Sequence, residues 1–126
     1  MRVILDTSVL IADTFDAASD DEYAISAVSL AELHYGVLVA NEEHRPERLR
    51  RLTAIERAFN ALPVDAAVAA SYGTLATAVR ASGRQPRARQ MDLLIAATAH
   101  AHRARLLTHN LADFAGIAAL LDVREP

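Results

Sequence analysis

Short unbroken apolar runs alternate along the chain with longer stretches whose apolar residues recur every three or four positions, and these two periods predict strands alternating with helices. Val3-Ile4-Leu5 is apolar and partly β-branched, the pattern of a strand buried on both faces of a parallel sheet, and Asp6 ends it. Thr7 and Ser8 ahead of Val9-Leu10-Ile11-Ala12 read as a helix start, and the polar stretch from Asp13 to Glu22 reads as a surface loop. Tyr23-Ala24-Ile25 is a second strand. A helix is expected from Ser26 or Ser29 through Leu30, Leu33, Val37 and Leu38 to about Ala40, and another from about Pro46 to Asn60. Leu62-Pro63-Val64 is a connector or short strand. Ala66 to Ala81 reads as a helix stopped by Ser82-Gly83, followed by a basic loop, Arg84-Gln85-Pro86-Arg87-Ala88-Arg89. Met91, Leu94, Ile95 and Thr98 follow the i, i+3, i+4, i+7 rule, so a helix covers about Gln90 to His102. Arg105-Leu106-Leu107-Thr108 is a strand, Asn110 to Ala115 one or two helical turns, and Leu120-Leu121-Asp122-Val123 a last strand at the sheet edge.

Strands this short separated by helices imply βαβ units, giving the class α/β: a three-layer α/β/α arrangement around a central, short-stranded parallel sheet. The functional crevice of such folds lies at the carboxyl ends of the strands, where Asp6 and the pair Asn110 and Asp113 are expected to open. A length of 126 residues, 52% hydrophobic and 23% charged, predicts a single domain over 1–126. No apolar run approaches the roughly 20 residues needed to span a bilayer, and Asp6 interrupts the start too early for a signal peptide, so a soluble cytoplasmic chain without membrane contact is expected.

Composition removes several chemistries. The chain has no Cys, which excludes disulfides, thiolate metal sites and a Cys nucleophile. All 13 basic residues are Arg, which excludes every mechanism that needs a Lys. A net charge of -3 predicts no general attraction to nucleic acid, so any such contact must be local.

Four acids carry the candidate chemistry: Asp6, Glu32, Asp92 and Asp113. Capping accounts for each one singly. Asp6 precedes a helix, Glu32 stands three residues after Ser29, Asp92 lies near a helix start, and Asn110 and Asp113 have the spacing of a capping box. Glu32, however, shares its helix face with Val28, Tyr35, Gly36 and Val39, an apolar setting in which an ionised carboxylate needs a partner. Four independent caps would also have to fall at one edge of the sheet. If the four converge, their repulsion calls for a divalent cation, and an all-oxygen donor set suits Mg²⁺, with Mn²⁺ as a substitute, rather than zinc. A cation so held polarises a phosphoryl oxygen and helps deprotonate water for attack on a phosphodiester.

Leu5-Asp6-Thr7-Ser8, Ala31-Glu32-Leu33 with Gly36, Met91 to Ala99, and Leu107 to Phe114 together resemble the PIN-domain family, specifically its VapC-type toxin ribonucleases, over essentially the whole chain. The resemblance implies an Mg²⁺-dependent endoribonuclease, a homodimer, and neutralisation by a cognate VapB-type antitoxin. It implies Asp6 and Asp92 as main metal ligands, completed by Glu32 and Asp113 directly or through water. Thr7, Ser8, Thr108 and Asn110 would orient waters or the scissile phosphate, and His109 receives no role.

The basic loop delivers the chain to Asp92, so Arg84, Arg87 and Arg89 are candidate RNA-phosphate contacts beside the acidic crevice. Arg45, Arg48, Arg50, Arg51 and Arg57 read instead as a solvated helix face, with Glu47 and Arg51 an i, i+4 pair. His100 and His102 are two residues apart and cannot face one metal. The aromatic residues Phe15, Tyr23, Tyr35, Phe59, Tyr72 and Phe114 are too scattered for a base-stacking platform. A phospho-accepting receiver or aspartyl phosphatase resembles families that use a Lys, which leaves two readings: a ribonuclease, or a catalytically weak PIN-like regulatory module that binds RNA or protein.

Overall fold

Strand β1 (Arg2–Leu5) sits at the centre of the sheet, which explains why it is the most uniformly apolar segment of the chain. The computed structural model describes residues 1–13 and 20–126; most of the expected loop from Asp13 to Glu22, with Phe15, lies outside the described residues. After β1 the chain turns directly into helix α1 (Thr7–Ala12), and β2 (Glu22–Ser26) then pairs parallel to β1 with Val3 opposite Tyr23. Helix α2 (Ala27–Val39) starts at Ser26, whose hydroxyl accepts the Val28 N–H at 3.1 Å. Of the two expected starts, Ser26 is therefore the cap, while Ser29 is buried inside the helix.

Helix α3 (Arg45–Ala58) leads to β3 (Ala61–Leu62), which pairs parallel to β2 and makes the Leu62 segment an edge strand. Helix α4 (Ala66–Ala81) begins at Asp65, whose carboxylate accepts the Val68 N–H, and it ends where Gly83 takes a φ of 85°. A 3₁₀ turn at Pro86–Arg89 feeds α5 (Gln90–Ala101), and β4 (Arg105–Leu107) pairs parallel to β1 with Leu5 opposite Leu107. A second 3₁₀ segment, Leu111–Ile117, precedes β5 (Val123–Arg124) on the far edge. The last strand starts three residues later than the hydropathy suggests and ends one later, because Leu121 is buried in the core rather than paired in the sheet.

The order β3-β2-β1-β4-β5 is parallel throughout. Alternation along β1 sends Val3 and Leu5 into a core with Val9, Leu10, Leu33, Val37, Leu52 and Ile55, and Ile4 into the opposite core with Val68, Leu75, Ile95 and Phe114. Helices α1 to α3 thus cover one face and α4 and α5 the other, the expected three layers. The chain leaves β1 towards β2 on one side, and β4 returns on the other. The resulting switch point opens a crevice at the carboxyl ends of β1 and β4. The Asp6 N–H donates to the Leu107 carbonyl at 2.9 Å and holds the two strand ends together there. Among the described residues, no helix is long and apolar enough to cross a membrane.

Candidate active site

Asp6 is only 4% exposed, yet it does not cap α1 with its side chain. Its Oδ2 accepts instead from Ser8 Oγ at 2.8 Å and from Thr108 Oγ1 at 2.8 Å, one hydroxyl from each side of the crevice. Each hydroxyl in turn accepts from a main-chain donor. The His109 N–H donates to Ser8 Oγ at 3.1 Å and the Asn110 N–H to Thr108 Oγ1 at 3.0 Å. The backbone just past β4 therefore feeds two converging hydrogen bonds into one carboxylate oxygen, which fixes its rotamer.

Glu32 is held differently. Thr7 Oγ1 donates to Glu32 Oε1 at 2.7 Å and lies 3.0 Å from the buried Ser29 Oγ, so α1 and α2 are pinned together at the carboxylate. The face of α2 that carries Glu32 is only partly apolar core, because Val28 is buried while Tyr35 and Val39 stand in solvent. The partner that the sequence demanded for Glu32 is thus a hydroxyl from the preceding helix. Beside it, Glu32, Gly36, His44, Arg48 and Arg51 line a groove of about 390 Å³ between α2 and α3.

Asp92 lies in the first turn of α5 and Asp113 in the 3₁₀ segment after β4. Arg89 joins them, its guanidinium 2.6 Å from Asp113 Oδ1 and 3.8 Å from Asp92 Oδ2. The Asp92 carboxyl is pushed up from 3.8 to about 6, first by burial and then by the negative charges of Asp6, Asp113 and Glu32, with Arg89 pulling the other way. All three other candidate acids therefore bear on Asp92, and the structure brings the set to one edge of the sheet.

The donor chemistry fits a hard divalent cation: carboxylate oxygens without sulfur, at an edge where negative charge exceeds its single Arg partner. The side chains are not a ready-made cage, since among the described residues no three His, Asp or Glu side chains are grouped to hold a metal ion. Local pairing accounts for that: Glu32 is drawn to Thr7, Asp113 to Arg89, and Asp6 to Ser8 and Thr108.

The supporting residues fall where the motifs put them, with a different division of labour. Thr7, Ser8 and Thr108 spend their hydroxyl protons on the acids, while Asn110 is exposed at the crevice mouth. In the basic loop, Arg84 donates to the Ala112 carbonyl at 3.0 Å, Arg87 is exposed, and Arg89, although exposed as well, is paired with carboxylates. That role of Arg89 was missed in the sequence, although its i, i+3 spacing from Asp92 is the signal that would have found it. On α3, Arg45 and Arg48 reach back to the Ala40 and Gly36 carbonyls of the α2 end. His100 pairs with Ser71 at 2.8 Å and joins α4 to α5, away from the acids.

The PIN domain family matches residues 3–120. Ribonuclease VapC5 of Mycobacterium tuberculosis is 37% identical over 120 residues, covering 90% of this chain and 86% of the relative. Ribonuclease VapC8 of the same species is 35% identical over 99 residues, covering 76% and 88%. Among solved structures, VapBC-5 from Mycobacterium tuberculosis, a member of the VapBC family of toxin-antitoxin systems, superposes with a TM-score of 0.84 at 35% identity, covering 99% of this chain and 98% of that one. VapBC2 from Rickettsia felis, bound to a DNA fragment from its promoter, gives 0.81 at 25% identity over 99% and 98%. The chain therefore belongs to the PIN-domain family, among its VapC-type members.

Proposed function

We propose that residues 1–126 act as one unit, a divalent-cation-dependent endoribonuclease that serves in the cytoplasm as the toxin of a toxin–antitoxin pair. The observation that carries this reading is the pressure of Asp6, Glu32 and Asp113 on the half-buried carboxyl of Asp92 at the switch point of the sheet. A bare structural role gains nothing from such crowding, whereas a site that takes Mg²⁺, or Mn²⁺ in its place, needs it.

Asp6 and Asp92 would hold the cation, and Glu32 and Asp113 would complete the set directly or through water. When bound, the cation supplies Lewis-acid polarisation of a phosphoryl oxygen and a lower pKa for water. The chain's own residues do the rest. Ser8 and Thr108, which accept from the 109 and 110 N–H groups, hold Asp6 in one rotamer, and Thr7 does the same for Glu32. Asn110 and Arg87, both exposed, would contact RNA phosphates, and the Arg84 bond to the Ala112 carbonyl braces the segment that carries Asp113.

Partners follow from relatives whose names and structures are VapC and VapBC. A VapB-type antitoxin and a second copy of the chain each require an apolar face, and α2 presents one in exposed Tyr35, Leu38 and Val39. The direct test is incubation of purified protein with total cellular RNA in Mg²⁺, Mn²⁺ or chelator, beside Asp92→Asn prepared identically. Discrete cation-dependent fragments, lost in the variant, are expected. Intact RNA under every condition would transfer the weight to a regulatory binding module.

A further inference from the structure

Among the described residues, Arg89 is the side chain of opposite charge that bears on Asp92, and its position is unusual. It closes the 3₁₀ turn Pro86–Arg89 and immediately precedes α5, and its φ of −135° and ψ of 34° depart from helical values at the junction of the two segments. From there its guanidinium spans the gap between Asp113 Oδ1 at 2.6 Å and Asp92 Oδ2 at 3.8 Å. A carboxylate oxygen that accepts a charge-assisted bond this short has its lone pairs directed at the guanidinium, and a second cation on the same oxygens would stand beside a fixed positive charge.

We propose that Arg89 is a tethered counter-ion that competes with the divalent cation for Asp92 and Asp113, so that loading the site requires its guanidinium to swing away. The inference rests on the nuclease reading of the four acids and adds a residue that tunes it. Two further observations support the movement. The Arg89 side chain is 48% exposed, so it leaves without breaking core packing. It also lines an open cavity of about 470 Å³, shared with Arg84, Ala88, Leu93, Ala112, Asp113 and Gly116, so the side chain has room to change its reach without entering the core. The Arg84 bond to the Ala112 carbonyl keeps the 3₁₀ segment bearing Asp113 in place while Arg89 moves. Without Arg89 the acids would repel one another unrelieved; with it, the cation-free site is partly neutralised but slower to fill. Its position also puts the released guanidinium beside the crevice, where an RNA phosphate is the available anion.

The test is titration of the folded protein with Mn²⁺, followed by loss of the electron paramagnetic resonance signal of the free ion, for wild type, Arg89→Gln, Arg89→Lys and Asp92→Asn. Arg89→Gln is expected to bind Mn²⁺ about tenfold more tightly than wild type, and Arg89→Lys, which restores a positive charge, to return most of the way. Circular dichroism checks each fold, and if Arg89→Gln does not fold, Arg89→Ala, which also removes the charge, takes its place with the same expected and overturning results. Unchanged or weaker binding in Arg89→Gln overturns the competition while leaving the site intact, provided that wild type binds and Asp92→Asn does not. Absence of Mn²⁺ binding in wild type overturns the competition and the nuclease reading together.

Discussion

Thr108 Oγ1 donates to Asp6 Oδ2 at 2.8 Å, a contact that joins positions 102 residues apart and ties the end of β4 to the end of β1. Thr108 is fully buried, so its hydroxyl serves this bond and the Asn110 N–H at 3.0 Å rather than water. Thr108→Val keeps the branched shape and removes both bonds. A loss of about 2 kcal/mol in chemical denaturation is expected. Cleavage should fall about 10-fold to 100-fold, the usual cost of losing a residue that orients a metal-binding carboxylate. Retention of full activity would show that Ser8 alone orients Asp6.

Asp92 makes a pH-dependent prediction whose direction is unusual for a carboxyl. Its proton is held up to about 6 in the folded chain against an ordinary 3.8, so the folded state binds more protons in that window and cation-free stability falls as pH rises through it. Above about 6 the ionised group opposes folding. Asp92→Asn should therefore be more stable than wild type at pH 7.5 in chelator, by about 1–3 kcal/mol, and the gain should vanish below pH 4. Added Mg²⁺ should raise the Tm of wild type and leave the variant unmoved. Thermal unfolding across pH 4 to 8, with and without Mg²⁺, measures all of this, and a less stable variant at pH 7.5 would assign Asp92 to structure.

Much of this was legible because it was encoded locally. Helix α4 has its limits written in Asp65 and Gly83, a cap and a stop that act within a few residues. The central strand was legible from its unbroken apolar run, and the position of Asp6 at its carboxyl end from the acid that stops that run. Other features depend on contacts distant in sequence. Whether Ser26 or Ser29 starts α2 is decided by Thr98, whose hydroxyl lies 3.1 Å from Ser26 Oγ and buries it, and by Thr7, beside Ser29. The edge strand β5 exists only through its pairing with Leu106 and Leu107. The company of Glu32 was misjudged for the same reason: helical periodicity groups Val28 with Tyr35 and Val39, but only tertiary packing determines that the first is covered and the others are not.

Ser26 serves two elements at once, which makes it a sensitive site away from the acids. Its hydroxyl accepts the Val28 N–H at 3.1 Å and the Thr98 hydroxyl at 3.1 Å, so it both caps α2 and joins α2 to α5. Ser26→Ala should cost about 1–2 kcal/mol, the cost of losing an N-cap, lowering the Tm by several degrees. Asp6, Asp92 and Asp113 keep their own contacts, so Mn²⁺ affinity should change less than twofold, and titration beside thermal unfolding separates the two effects.

Arg87 isolates the contribution of the basic loop to RNA binding. Arg84 is committed to the Ala112 carbonyl and Arg89 to Asp113, so changing either one also disturbs the segment that carries an acid. Arg87 stands exposed on the same turn and bears its charge outward. With an overall charge of -3, attraction to RNA must come from such local positions rather than from the whole molecule. Arg87→Ala should weaken binding to a single-stranded oligoribonucleotide and reduce the slope of log affinity against log salt by about 0.7, the release of one phosphate contact. Fluorescence anisotropy between 50 and about 200 mM salt, the range over which phosphate contacts dominate, reads this directly. Mn²⁺ affinity should be unaffected, because the side chain does not touch the acids. An unchanged salt slope would remove Arg87 from the RNA path and leave the crevice mouth around Asn110 to hold the strand.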